Sequence, residues 1–389
     1  MTSRRSARQP PARKLAPDAG PRNPSEPALV PPYRPSWVDR FTDWVDRLPG
    51  PAWLPYVVLA LTGAGFFVGV ETIAGSYRPG DYLTLHLWLG AHAAYLLGML
   101  HLLDHAAADA LDAFRPVLIL NRPPGRGASP AGSTFEEIRY RLTTLPAGLT
   151  WVAALLGAVL GLGFPLAFIH PGAPALSLAA SLATFAVSPV PAASAAILAQ
   201  FVATQAIAGI LVYHSIHQLR TIHLIYRDHS GVNLYRLQPL YAFSVPSALT
   251  AGGWVLYSSL WFVAAPGLLR EAGSLAMAAF FVLVAAVTFT WPLLGIHRRL
   301  QMEKGVQLAE SNQRFEAAVI ELRHRFDRQR LTRMDDLHKA MASLDLEQAA
   351  LRRIPTWPWE PGTLRGVIAA LVLPIVIWLL QFGLQRLLG

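Results

Sequence analysis

Two short stretches of this chain concentrate imidazoles. "HLLDH" carries His101, Asp104 and His105 at the spacing of one helical face, and "HSIHQLRTIH" carries His214, His217 and His223. Neutral imidazole nitrogens with a carboxylate are the ligand types that zinc and iron accept. On that reading the candidate ligands are His101, Asp104, His105, His214 and His217, and the chain is a histidine–metal membrane enzyme. The competing reading takes them as interfacial histidines bonded to water, headgroups and backbone. Adjacent His-His pairs, usual in membrane di-iron oxygenases, do not occur, and neither does GxSxG. The absence of cysteine excludes disulfides, thiol catalysis and Cys-based metal sites. We therefore assign no catalytic residue, expect no cofactor, and read the chain as non-enzymatic, with the metal enzyme as the alternative.

A second set is aromatic. Trp88, Tyr95, Phe164, Phe168, Phe201, Tyr257, Trp261, Phe280 and Phe281, with His92, fall in the outer halves of apolar runs. Aromatic-lined cavities bind small apolar molecules. Ordinary interhelix packing and an interfacial belt are the alternative for any one of these residues.

Helices in a bilayer must position both sets. Hydrophobic residues make up 53% of the chain and charged ones 15%, too apolar for a single soluble domain of 389 residues. The expectation is an all-α, polytopic protein of the cell membrane. Its spans lie near 52–73, 82–104, 146–169, 192–215, 241–265, 274–296 and 365–385. With the N-terminus inside, only Arg78, Arg270 and Arg386 of the 33 Lys and Arg fall outside, which orients the C-terminus outside. The net charge of +9 then serves topology and anionic lipid rather than nucleic acid. Residues 175–187 form an apolar stretch too short to span, read as an external loop helix or re-entrant piece. The loop 106–145 is read as cytoplasmic and flexible around "NRPPGRGASPAGS".

Five regions follow. Residues 1–35 are a disordered basic tail. Residues 36–50 form an amphipathic helix capped by Ser36, either interfacial or packed on a cytoplasmic domain. Residues 51–296 are a six-helix transmembrane domain, and 297–354 a cytoplasmic helical assembly domain. Residues 355–389 hold a Trp/Pro linker and a final span. In the fourth region Phe315, Val319, Leu322 and Phe326, then Leu331, Met334, Leu337, Met341 and Leu344, draw a narrow apolar seam. That seam must bury against something. Subunit assembly through residues 300–350 is preferred, with an intrachain hairpin as the alternative. In "IPTWPWEP" the prolines stop the helix, and Trp357 and Trp359 suit a water–lipid boundary.

"YHSIHQLRTIHLIYR" and "PLYAFS" resemble segments of a group of bacterial integral membrane proteins, a likeness that carries no function. The layout as a whole resembles the seven-transmembrane ion channels of the insect odorant and gustatory receptor superfamily. The shared features are the inside N-terminus, a sixth span running into the cytoplasm, a further cytoplasmic helix, and a last span entering alone. The gustatory receptors carry Thr-Tyr, five apolar residues and Gln-Phe in that span. Here Val376 to Leu380 lead into Gln381 and Phe382, while Pro374 and Ile375 stand where Thr-Tyr would be. The resemblance implies a homotetramer assembled through the cytoplasmic helices, a central pore lined by the last span, and a small-molecule pocket on the outer side. It places Gln381 and Phe382 in the pore motif, and helical spacing adds Trp378 and Gln385. The expected function is an oligomeric, channel-like protein gated by a small apolar ligand, with the histidine–metal enzyme or a non-conducting membrane scaffold or sensor as the alternatives.

Overall fold

The structure is a computed structural model that describes residues 31–75, 83–120, 134–168, 191–264, 272–329, 332, 334–360, 362–372 and 376. Among them there is no strand, only two isolated bridges, and the chain is all-α. Eleven helices are described here: α1 (Trp37–Asp46), α2 (Leu54–Ile73), α3 (Leu83–Phe114), α4 (Phe135–Thr143), α5 (Ala147–Phe168), α6 (Pro191–Asp228), α7 (Ser244–Ala264), α8 (Ala272–Thr290), α9 (Leu294–Asp327), α10 (Met334–Arg353) and α11 (Gly362–Val372). Residues 175–187 and the pore candidates Trp378, Gln381, Phe382 and Gln385 lie outside the described residues.

Two helical stretches, Ala195–Asp228 and Ala278–Asp327, are long and apolar enough to cross a membrane. Shorter apolar helices lie at Leu54–Val70, Ala147–Leu162 and Gly362–Val372. Neighbours in sequence pack as pairs: α2 with α3, α5 with α6, α7 with α8, and α9 with α10. At two crossings glycine sets the approach. A methyl group on Gly63 or Gly90 would fall on the facing helix backbone, and the same holds for Gly157 and Gly209. Small residues let helix backbones touch in this way.

Several elements run past the lengths read from hydropathy. Beyond Asp104, "HAAADALDAF" keeps α3 helical because alanine and leucine are strong helix formers. Its apolar positions Ala107, Leu111 and Phe114 pack with Tyr226 and Phe243 in one buried cluster. A second cluster joins Phe67, Leu96, Leu100, Ile210 and Trp254.

The N-terminal helix is docked, not free. Ser36 caps it reciprocally: its side chain accepts from the Asp39 amide at 3.3 Å, while its own amide donates to the Asp39 carboxylate at 2.7 Å. The same carboxylate accepts from the Leu145 amide at 3.1 Å, which ties α1 to the start of α5. Burial raises the Asp39 carboxyl above its ordinary value, and these hydrogen bonds pull the other way. Within the expected tail, residues 1–30 lie outside the described residues, and Tyr33 donates to the Thr144 carbonyl at 2.9 Å.

The charged stretch after α8 turns at Pro292, runs out as α9, and returns as α10 packed on it. Phe315, Val319 and Leu322 are half-buried facing half-buried Met334, Leu337, Met341 and Leu344, so much of the seam closes within one chain. Leu331 lies outside the described residues, and Phe326 stays exposed. Lys304 then caps the end of α10 by donating to the carbonyls of Arg352 and Ile354, both at 2.8 Å. The prolines end the helix as expected. Trp357 stacks on His297 at 3.8 Å between ring centres, and Trp359 stacks on Trp357 at 4.4 Å. This pins the linker to α9 before α11 begins.

Candidate functional site

One face of α3 carries the site. Trp88, Ala91, Tyr95, Gly98, Leu102 and His105 recur at alternating intervals of three and four, the repeat of a single helical stripe. They form one wall of a cavity of about 760 Å³. Trp53, Tyr56, Val57 and Ala60 supply the opposite wall from the start of α2, and Leu260 of α7 contributes a third side. The Gly63–Gly90 crossing brings α2 and α3 together further along the pair. Small side chains at Ala60, Ala91, Ala94 and Gly98 leave the space open, so the cavity is a consequence of residue size.

The two ends differ in chemistry. At one end stand Tyr56, His101 and His105. The Tyr56 hydroxyl and His101 Nδ1 are 2.8 Å apart, and His101 Nε2 is 3.0 Å from Asp46 Oδ1 at the end of α1. His105 Nε2 is 3.6 Å from the second oxygen of the same carboxylate. His101 is buried, whereas His105 and Asp46 are exposed to solvent. At the other end Trp88 is buried, and its indole N–H has no hydrogen-bond partner. The cavity is thus apolar along its length, with an imidazole–carboxylate group at its near end.

No family model, curated protein or solved structure matches this chain. Its site is therefore read from its own geometry.

The aromatic residues singled out in the sequence divide. Trp88 and Tyr95 line the cavity. His92 sits behind them, stacked on Trp88 at 5.2 Å and within 3.0 Å of the Tyr257 hydroxyl. Trp261 packs edge-on against both Trp88 and His92. Phe281 stacks on Trp254. These four make a packed aromatic wall rather than open space. Phe201 is buried, and Phe280 faces outward at 55% exposure. The side chains of Phe164 and Phe168 lie outside the described residues.

The histidine set divides too. His101 and His105 meet Asp46, which lies on α1 and is not among the expected ligands. Asp104 turns instead to α6, where its carboxylate is 2.8 Å from His214 Nε2. His217 Nε2 donates to the Arg141 carbonyl at 2.9 Å. His223 stacks on Trp291 and joins neither group. Sequence reasoning also passed over Tyr56 and Trp53.

Proposed function

We propose that this chain is a multi-span membrane protein, with the seven crossings and inside N-terminus set out above, that captures a small amphipathic molecule between α2 and α3. The cavity carries the reading: about 760 Å³, walled by apolar and aromatic side chains, with the Tyr56, His101 and His105 polar group at one end. That shape suits a molecule with a long apolar body and a polar head. A bilayer setting is supported by the outward faces of the shorter helices. On α5, Trp151, Leu155, Leu156 and Leu160 are each at least 60% exposed, a continuous apolar surface that water would not tolerate.

Native mass spectrometry of protein purified in mild detergent tests this. The wild type is expected to retain one amphiphile-sized adduct, and Ala60→Trp, which fills the cavity, is expected to lose it. A wild type without an adduct, or an adduct indifferent to Ala60→Trp, would sink the reading.

A channel-like, homotetrameric organisation is a second proposal. It draws support from chain order: α8 leads into α9, α10 folds back, the Trp357–Trp359 linker follows, and apolar α11 comes last. In planar bilayers this reading expects a conductance that changes with Gln381→Ala. A silent wild type in a bilayer holding the co-purified amphiphile would count against it.

A further inference from the structure

The His105 ring has a fixed proton. Its Nδ1 lies 3.1 Å from the backbone carbonyl of His101. A carbonyl can only accept, so Nδ1 carries the hydrogen and Nε2 of the neutral ring presents a lone pair. That lone pair faces Asp46 Oδ2 at 3.6 Å. Two acceptors confront each other, and something positive belongs between them. His101 converges on the same carboxylate from the other side, with Nε2 at 3.0 Å from Oδ1. One ligand atom from each of the three residues lies within 4.8 Å of the others.

We propose that Asp46, His101 and His105 bind a divalent first-row transition ion of the zinc type, leaving one coordination position open. Two imidazoles and a carboxylate are the donor set of open-site zinc, and of iron sites that leave several positions vacant. The spacing fits. Ligands at about 2.0–2.1 Å in a tetrahedron stand about 3.4 Å apart, and the separations of 3.0 and 3.6 Å, each to a different oxygen of Asp46, lie on either side of that value.

The surroundings fit as well. A ligating imidazole needs its second nitrogen held. The Tyr56 hydroxyl holds Nδ1 of His101, and the His101 carbonyl holds Nδ1 of His105. On binding, His101 would give up its Nε2 hydrogen and donate from Nδ1 to Tyr56, a change the hydroxyl accommodates by rotating. His101 and His105 also border the cavity, so the open position stands at its rim. An acidic head group there would complete the coordination. The metal proposal does not depend on the amphiphile, because the three ligands come from the chain alone.

The test is equilibrium dialysis of the full chain, without a polyhistidine tag, against Zn2+ with metal counted by mass spectrometry. One equivalent per chain is expected. His105→Ala is the primary variant, since its side chain is 58% exposed. It should weaken binding at least about tenfold, and Tyr56→Phe should weaken it by about ten- to a hundredfold through the second nitrogen of His101. Asp46→Asn should behave as His105→Ala does. Co2+ in place of zinc should give the visible absorption of a four-coordinate site in the wild type and lose it in His105→Ala. Absence of stoichiometric zinc from the wild type, which leaves a proton as the occupant, would overturn the proposal. Binding by His105→Ala and Asp46→Asn equal to that of the wild type would also overturn it, by showing the ion to be adventitious.

Discussion

The carboxylate of Asp104 and Nε2 of His214 meet at 2.8 Å between α3 and α6, with the His214 ring almost wholly buried. Nδ1 of His214 has no partner, so the arrangement of lower cost puts the ring's hydrogen on Nε2, where Asp104 accepts it. Close by, the Gln218 amide donates to the Leu103 carbonyl at 3.2 Å across the same interface. Asp104→Ala would leave a buried donor unpaired, and we expect a loss of about 1–3 kcal/mol of stability. Asp104→Asn keeps an acceptor and should cost about 1 kcal/mol or less. Unfolding in mixed detergent–SDS micelles, followed by tryptophan fluorescence, checks the order. Equal losses for the two variants would remove the hydrogen bond as the cause.

Asp39 predicts a pH dependence of opposite sign to that of a salt-bridged carboxylate. Its carboxyl is raised above the ordinary value of 3.8, first by burial and next against the pull of Ser36 and Leu145. The folded state therefore holds the proton more tightly than the unfolded chain. The favourable contribution is complete below 3.8 and disappears as pH rises through the raised value. Docking of α1 should thus strengthen on acidification across that window. The difference between wild type and Asp39→Asn in unfolding midpoint, followed against pH, isolates this group from the other carboxylates. A difference that grows in favour of the wild type with rising pH would contradict the assignment.

Gly157 and Gly209 test the packing of α5 on α6. A methyl group built on either meets backbone of the other helix, with no flexible side chain to yield. Leu155 and Leu160 point away from the bundle, leaving α5 few compensating contacts. Gly209→Ala should cost about 1–3 kcal/mol by overpacking, and Gly209→Leu should detach α5. Gly252, with nothing within 4 Å of an added methyl, is the control. The SDS-unfolding midpoint should fall in the first two variants and hold in Gly252→Ala.

Much of this architecture could be read from residue order, and the limits have physical causes. The Ser36 cap, the helical seam of 315–344 and the proline stop at 355–361 are local, so sequence carries them. The ends of α3 and α6 are not, because an apolar run stops marking the helix where polar residues begin, and "AAADALDAF" stays helical on alanine propensity. The metal set shows a subtler limit. His101, Asp104 and His105 read as one face in the sequence, yet at 100° per residue Asp104 and His105 stand about 100° apart around the axis. That angle sends Asp104 to His214 and His105 to Asp46, and the partner on α1 lies a whole helix away in sequence. The cavity was illegible for another reason: it depends on small residues of two helices arriving opposite each other.

Assembly through the α9–α10 hairpin gives the last prediction. The seam has closed largely within the chain, so assembly must use what remains outside it. Ile320 at 53%, Phe326 at 62% and Leu346 at 71% exposure, with Met302 and Val306 nearer the start of α9, are large apolar residues left outside it among the described residues. Removing about 100 Å² of apolar surface per residue from water at roughly 25 cal/mol per Å² would stabilise each contact by about 2–3 kcal/mol. Ile320→Lys with Leu346→Lys should therefore convert an oligomer to a monomer without loss of helicity, because neither side chain supports the hairpin core. Leu337→Lys, which faces α9 inside the hairpin, should instead unfold it. Mass photometry of the detergent-solubilised proteins separates the cases: a wild type already at the mass of one chain leaves the hairpin as an intrachain structure and withdraws the pore that four copies would enclose.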